Sequence, residues 1–279
     1  MRRTALVACV LGLVVLTGCS SGSSSGGGDK AASAPSPEAT SASSSAPPPP
    51  VAPRVGSCHA LTLGEATAPV DAGPAVPCRG AHTSVTVKVG RLTPLVDGHL
   101  LAVDSRTVRA RVQKACPSSG IGYAGGDTRT QRLSRLEVVW FTPSLEQADA
   151  GAAWYRCDLV GLASAGTLIT LPPRMKGVLA AGGALDRFGT CGTAAPGARG
   201  FERVVCSRRH AWRAVDVIEL GARTRYLDKA AGASGDASCK DTAAARANGA
   251  LKYTWSFEWP TRAQWNAGQR YGYCWLPGV

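Results

Sequence analysis

The chain has 279 residues, of which 44% are hydrophobic and 18% charged, and a formal net charge of +12. That composition excludes a wholly disordered protein. No apolar run of about 18 residues follows the N-terminus, which excludes a bundle of membrane-spanning helices for the body.

In chain order, the first segment is a targeting signal. Met1-Arg2-Arg3 is followed by an apolar stretch from Ala5 to Leu16 and then by Leu16-Thr17-Gly18-Cys19. A charged start, a short apolar core and small residues before a cleavage point make a secretory signal peptide. The tetrapeptide matches the bacterial lipoprotein box, so residues 1–18 are expected to be removed and Cys19 to carry lipid. Diacylation suits stable anchoring, since a single acyl chain holds only marginally. Residues 19–54 are Ser, Gly, Ala and Pro with almost nothing to bury, and are expected to form a tether, stiffer at Pro47–Pro50. A coil of that length reaches about 30–35 Å. Gly22-Ser23-Ser24-Ser25-Gly26 spells a nucleophile elbow, but no strand or helix flanks it.

After the tether, one cysteine pattern occurs twice. The first copy runs Gly56-Ser57-Cys58, Cys78-x3-His82, Cys116, then Pro143 to Cys157. The second runs Gly189-Thr190-Cys191, Cys206-x3-His210, Cys239, then Pro260 to Cys274. Pro143-Ser144-x2-Gln147-x-Asp149-Ala150-Gly151 lies on Pro260-Thr261-x2-Gln264-x-Asn266-Ala267-Gly268 without a gap. The recurrence predicts two tandem modules, 55–175 and 176–279.

Within a module, a short strand enters the first cysteine. A strand follows at 84–90, where Val85, Val87 and Val89 alternate with polar residues; its counterpart is 211–220. Asp104-Ser105 open a helix with Val108, Val112 and Ala115 on one face. Its counterpart spans about 225–231, with a glycine-rich interruption at 232–235 and a second helical piece at 242–247. A third strand covers 136–141, matched by 253–259. Ser144 or Thr261 caps a short helix that ends at Gly151 or Gly268. A last strand holds the fourth cysteine. The expected fold class is α+β, each module an antiparallel sheet with one or two covering helices. Residues 163–185 read as a connector.

Of ten cysteines, Cys9 lies in the signal and Cys19 takes lipid, leaving Cys58, Cys78, Cys116 and Cys157 in one copy and Cys191, Cys206, Cys239 and Cys274 in the other. Even sets in a secreted chain imply disulfides. Four cysteines allow three pairings, and sequence alone does not choose among them. The preferred expectation joins first to second and third to fourth, Cys58–Cys78, Cys116–Cys157, Cys191–Cys206 and Cys239–Cys274, each closing a short local loop. Cys-x3-His has the flavour of a zinc site, but no C-x2-C partner accompanies it and an oxidised cysteine is no ligand. His82 and His210 are therefore expected to donate to a backbone carbonyl beside the disulfide, with no metal and no cofactor.

The lipoprotein box, the tether, G-[ST]-C, C-x3-H and the closing P-[ST]-x3-W-x2-G-x5-C resemble the septum-formation domain of actinobacterial envelope proteins. Pro260, Thr261, Trp265, Gly268, Arg270 and Cys274 match the pattern, whereas the first copy has Ala148 for the Trp and Ala153 for the Arg. The resemblance covers about 55–279. It implies an extracytoplasmic domain linked with cell division and supplies no catalytic residues.

Charge is uneven. Residues 55–175 carry 12 basic and 9 acidic residues, and 176–279 carry 15 and 8. A basic module outside the cytoplasm favours anionic lipids, anionic wall polymers or acidic protein faces, and its compartment excludes nucleic acid. Arg208, Arg209, His210 and Arg213 form the densest cluster; with Trp265 and Arg270 they are the candidate binding residues. Trp255, Phe257 and Trp259 share one strand face, suited to core packing or to an aromatic binding strip.

Catalytic candidates are few. Gly120-x-Gly122-x2-Gly125 spells a dinucleotide fingerprint but follows a helix rather than a strand. The expected function is a non-catalytic lipoprotein on the outer face of the cytoplasmic membrane, binding an anionic envelope component or a division-associated protein. The alternatives are a wall-modifying hydrolase using His82 or His210, or a sensor or spacer ectodomain.

Overall fold

Four disulfides, each joining cysteines close in sequence, organise the chain: Cys58–Cys78, Cys116–Cys157, Cys191–Cys206 and Cys239–Cys274. The structure is a computed structural model that describes residues 50–70 and 73–278. The expected signal sequence, Cys19 and most of the expected tether lie outside the described residues.

The N-terminal part contains β1 (Cys58–His59), α1 (Leu63–Thr67), β2 (Ser84–Arg91), β3 (Leu95–Val96), β4 (His99–Leu100), α2 (Arg106–Ala115), α3 (Pro117–Ala124), α4 (Thr128–Leu133), β5 (Leu136–Phe141), α5 (Leu145–Asp149) and β6 (Trp154–Gly161). Its antiparallel sheet has the order β1-β2-β6-β5. After a 3₁₀ turn at Val178–Ala180 come α6 (Ala184–Phe188), β7 (Thr190–Gly192), β8 (Arg203–Val205), β9 (Trp212–Glu219), α7 (Lys229–Arg246), β10 (Ser256–Glu258), α8 (Arg262–Asn266) and β11 (Tyr271–Pro277). The second sheet has the order β10-β11-β9-β7-β8, also antiparallel. The protein is thus α+β.

Helix α2 shows how local signals are used. Ser105 accepts from Val108 N at 3.4 Å, satisfying one of the free donors of the first turn. Val108 and Val112, one turn apart, are 1% and 2% exposed. Burying each is worth about 1.5–3 kcal/mol, so a charge at Val112 would break the helix from the sheet. At its end Lys88 donates to the Ala115 carbonyl at 3.2 Å, a cation where helix carbonyls are unpaired. Cys116 then bonds Cys157 on β6, fixing the helix to the sheet, and Pro117 starts α3 where a missing N–H costs nothing.

One face of the first sheet presents Val85, Leu136, Cys157 and Leu159 to α2, α3 and the 171–188 stretch, where Leu171, Met175, Leu179 and Phe188 are all buried in the same cluster. The other face differs from the alternation read in the sequence, which leaves the polar residues of β2 to solvent. Ser84 and Thr86 are fully buried, because α1 and its flanking loop cover this side with Leu61 and Ala66. There Ser84 Oγ donates to Asp158 Oδ2 at 3.2 Å, Arg156 pairs with Asp158 at 3.3 Å, and the Arg156 guanidinium lies 4.4 Å over the Phe141 ring. A buried charge pair is tolerated only with such further partners.

The second sheet packs α7 on one face, around Val215, Cys239 and Cys274. The other face holds Ala214, Tyr273 and Trp275 and is closed by Leu133, which arrives from α4 in the N-terminal part. Arg129 Nε bonds Asp216 Oδ1 at 2.6 Å, Arg132 pairs with Glu219, and the Tyr273 hydroxyl donates to the Arg132 carbonyl at 3.0 Å. Burial, the largest cause, and the neighbouring Tyr271 push the Tyr273 phenol up, so it remains a donor. The described residues accordingly lie within one compact unit.

Two elements differ from the sequence reading. The helical pieces expected at 225–231 and 242–247 are one 18-residue helix, α7, running through Gly232 and Gly235. The glycine at 235 serves packing: a Cβ there would lie 2.5 Å from the Phe257 ring. The strand expected at 253–259 is confined to Ser256–Glu258, since only these residues pair with β11.

Candidate functional site

A hollow of about 800 Å³ lies where the end of α7, the turn before β9 and the end of β11 meet. Each contributor is placed by local structure. Helix α7 ends at Arg246, and the chain reverses through Asn248 and Gly249, both at positive φ (46° and 85°), which Asn and Gly adopt more readily than other residues. This reversal sets Arg246 and Asn248 on one wall and brings Lys252, Tyr253 and Thr254 along the side. β9 supplies Arg213, the turn before it His210, and the strand end Leu276, Pro277 and Gly278.

Four basic side chains line the cleft (His210, Arg213, Arg246 and Lys252), and among the described residues no carboxylate does. They are not equivalent. Arg213 Nη1 pairs with Asp186 Oδ1 at 2.7 Å, and Arg246 Nη2 donates to the Val215 carbonyl at 3.4 Å. Arg246 and Lys252 are exposed, so their charge faces solvent at the mouth. The partial negative charge at the end of α7 opposes them, but it amounts to about half an elementary charge against two full ones.

His210 is held by its Nδ1, 2.8 Å from the Arg208 carbonyl. A carbonyl only accepts, so Nδ1 carries the hydrogen and donates. His82 makes the same contact to Gly80 at 2.9 Å and is buried. In both copies of Cys-x3-His the ring thus pins the turn beside the disulfide. Among the described residues, no three His, Cys, Asp or Glu side chains gather as a metal site requires.

The residues singled out from sequence are not brought together. His210 and Arg213 reach the cleft. Arg208 lines a separate hollow with Arg187 and Ser207, and Arg209 is exposed on the turn. Trp265 and Arg270 form a third group. The Arg270 guanidinium lies 4.1 Å over the Trp265 ring and Nη1 donates to the Trp265 carbonyl at 2.7 Å, closing the end of α8. Trp259 stacks on Trp265 at 5.7 Å and Tyr226 meets its edge at 5.7 Å. This Trp–Arg pair braces α8 and its carbonyls.

Sequence reasoning missed Arg246, Asn248, Lys252 and Tyr253. Arg246 ends an alanine-rich run and Lys252 stands alone, so neither belongs to a dense cluster. Only the reversal after α7 joins them to residues some 30–40 positions upstream.

A family model for septum formation matches residues 56–274. The chain belongs to the septum-formation family. The match spans both cysteine patterns. No curated protein and no solved structure matches the chain. In this septum-formation protein, four disulfides and the family domain fit an extracytoplasmic location. No helix among the described residues is long and apolar enough to cross a membrane.

Proposed function

We propose that the protein is a non-catalytic lipoprotein on the outer face of the cytoplasmic membrane, which binds an anionic component of the dividing envelope through the cleft at the end of α7. One observation carries this reading: among the described residues, the cleft is lined by four basic side chains and no acid. In a concave site such a one-signed lining concentrates anions. Family membership supplies the link with septum formation, and the Leu16–Cys19 box supplies the anchor. Against a hydrolase stand the roles of the two histidines, each committed by Nδ1 to a carbonyl of its own turn with no carboxylate behind it. Two tandem modules of common descent remain part of this reading, supported by the matching caps and histidine contacts.

The test has two arms. Mass spectrometry of the membrane-extracted protein should find acyl chains on Cys19. Pull-down from envelope extracts with the lipidated chain should retain an anionic component that an Arg246→Gln/Lys252→Gln variant loses. Release of soluble fragments from purified cell wall, or equal retention by the variant, would defeat the reading.

A further inference from the structure

The exposed apolar side chains of the N-terminal sheet are unevenly placed. Val51, Val55, Leu95, Leu100 and Leu145 are 85%, 58%, 55%, 78% and 46% exposed. Val55 precedes Gly56, whose N–H donates to the Thr86 carbonyl within β2, while the others gather toward one end of the sheet. Arg91, at the end of β2, opposes Trp154 at the start of β6, and Leu92 N donates to the Ala153 carbonyl. Leu95 follows within four residues. Phe141, at the end of β5, opposes Arg156, and Leu145 follows within four residues there too. Val51 lines a hollow that runs from Gln147 and Trp154 at this end to Ser57 and His59 on the β1 side.

The β3–β4 hairpin is built to hold its leucines outward. Asp97 and Gly98 both have positive φ (49° and 81°), the pattern of a tight Asp-Gly hairpin turn. Leu95 pairs directly with Leu100, so both side chains occupy one face of the ribbon. The base of the ribbon is fixed by Arg111, whose Nη1 donates to the carbonyls of Thr93 and Leu95 at 3.3 and 3.4 Å. Arg91 and Arg111 line the hollow beside it. Two large apolar side chains are thus displayed on a two-stranded ribbon braced by a basic residue.

The direction from which the chain arrives says what this surface meets. Val51 enters beside Gln147 and Trp154, and 31 positions separate Pro50 from Cys19. We propose that this end of the sheet, led by Leu95 and Leu100, rests on the lipid surface to which Cys19 is anchored. The proposal rests on the lipoprotein reading for its source of lipid, and is independent of the basic cleft. Shallow burial of a few apolar side chains binds a bilayer weakly, in proportion to the area covered. A tether turns that weak contact into an intramolecular one, at an effective concentration near millimolar for short linkers. The dock need not hold the protein to the membrane; it orients a unit that is already there.

Hydrogen–deuterium exchange tests it. The probes are the lipidated mature chain in vesicles of phosphatidylglycerol and phosphatidylethanolamine, and the same chain with Cys19→Ser in solution. Amides of residues 93–101 should exchange at least fivefold more slowly on vesicles, and a Leu95→Asn/Leu100→Asn variant, still lipidated, should lose that protection. Equal exchange in both states, or protection unchanged in the variant, overturns the proposal. Protection that appears without vesicles and grows with protein concentration also overturns it, since the occupant is then a second copy. Should Cys19 prove unacylated, the lipoprotein reading fails separately. The dock is then tested by co-sedimentation of the unlipidated chain with the same vesicles, where the leucine variant should bind several-fold less and equal binding refutes it.

Discussion

Gly235→Ala inverts the usual expectation for a glycine inside a helix. At a mid-helix position alanine ordinarily stabilises by up to about 1 kcal/mol, because glycine loses more backbone freedom on folding. At 235 the added Cβ would sit 2.5, 2.6 and 3.0 Å from three atoms of the Phe257 ring. The ring has little room to retreat, because a Cβ at Gly272 would also lie 2.5 Å from it. It is confined between helix and strand. Overpacking of this kind costs about 1–3 kcal/mol; a caged ring argues for the upper half of that range. The net expectation is a loss of about 1–2 kcal/mol, or about 2–8 °C in melting temperature for a unit of this size. Gly232→Ala, one turn away, is the control: its Cβ would meet only Trp259 at 3.8 Å, an ordinary contact, and should stabilise. Denaturant unfolding of the oxidised proteins, monitored by tryptophan fluorescence, gives both values. Combining Gly235→Ala with Phe257→Leu should recover part of the loss. A Gly235→Ala protein as stable as the parent would refute the idea that the glycine is there for the ring.

Replacing both Cys239 and Cys274 by Ala removes a staple between residues 35 positions apart, and should cost about 4 kcal/mol on the chain-entropy model, measured by the same unfolding assay. Thr261 accepts from Gln264 N at 3.2 Å while Gln264 returns a bond to Thr261 N at 2.9 Å; Thr261→Ala should cost about 1 kcal/mol in melting experiments and leave α8 frayed by exchange. The hydroxyl and N–H of Thr130 hold the Asp127 carboxyl below its ordinary value. A depressed carboxylate stabilises above its unfolded pKa and loses that contribution as pH falls through the folded value. Asp127→Asn should therefore unfold with a shallower acid dependence below about pH 4, read by circular dichroism.

Local chemistry made much of the fold legible. Ser105 with Val108 and Val112 marks a helix found at Arg106–Ala115, and Ser144 and Thr261 cap helices that end before Gly151 and Gly268, whose φ values are 93° and 99°. These signals involve residues within one or two turns of each other. Helix α4 was illegible for the opposite reason. Thr128–Leu133 is almost wholly polar, and its one buried residue, Leu133, packs against Trp275, far along the chain. The glycines of α7 read as an interruption because the ring that explains Gly235 lies 22 positions later. The cleft was half legible: His210 and Arg213 stand in a dense basic run, whereas Arg246 and Lys252 acquire meaning only where the chain turns back. Trp265 and Arg270 were visible as a motif, but only the folded chain reveals that they chiefly hold each other.

The central claim is anion binding at the end of α7, and salt tests it most directly. The mature chain should be titrated with a purified anionic wall polymer at several ionic strengths, beside Arg246→Gln/Lys252→Gln and beside Arg208→Gln/Arg209→Gln, which changes charge equally outside the cleft. Affinity should fall with salt for the parent. The cleft variant should bind about tenfold more weakly with a flatter salt dependence, and the outer variant should lose much less. Equal losses in the two variants would reduce the interaction to net charge and contradict a site at the cleft.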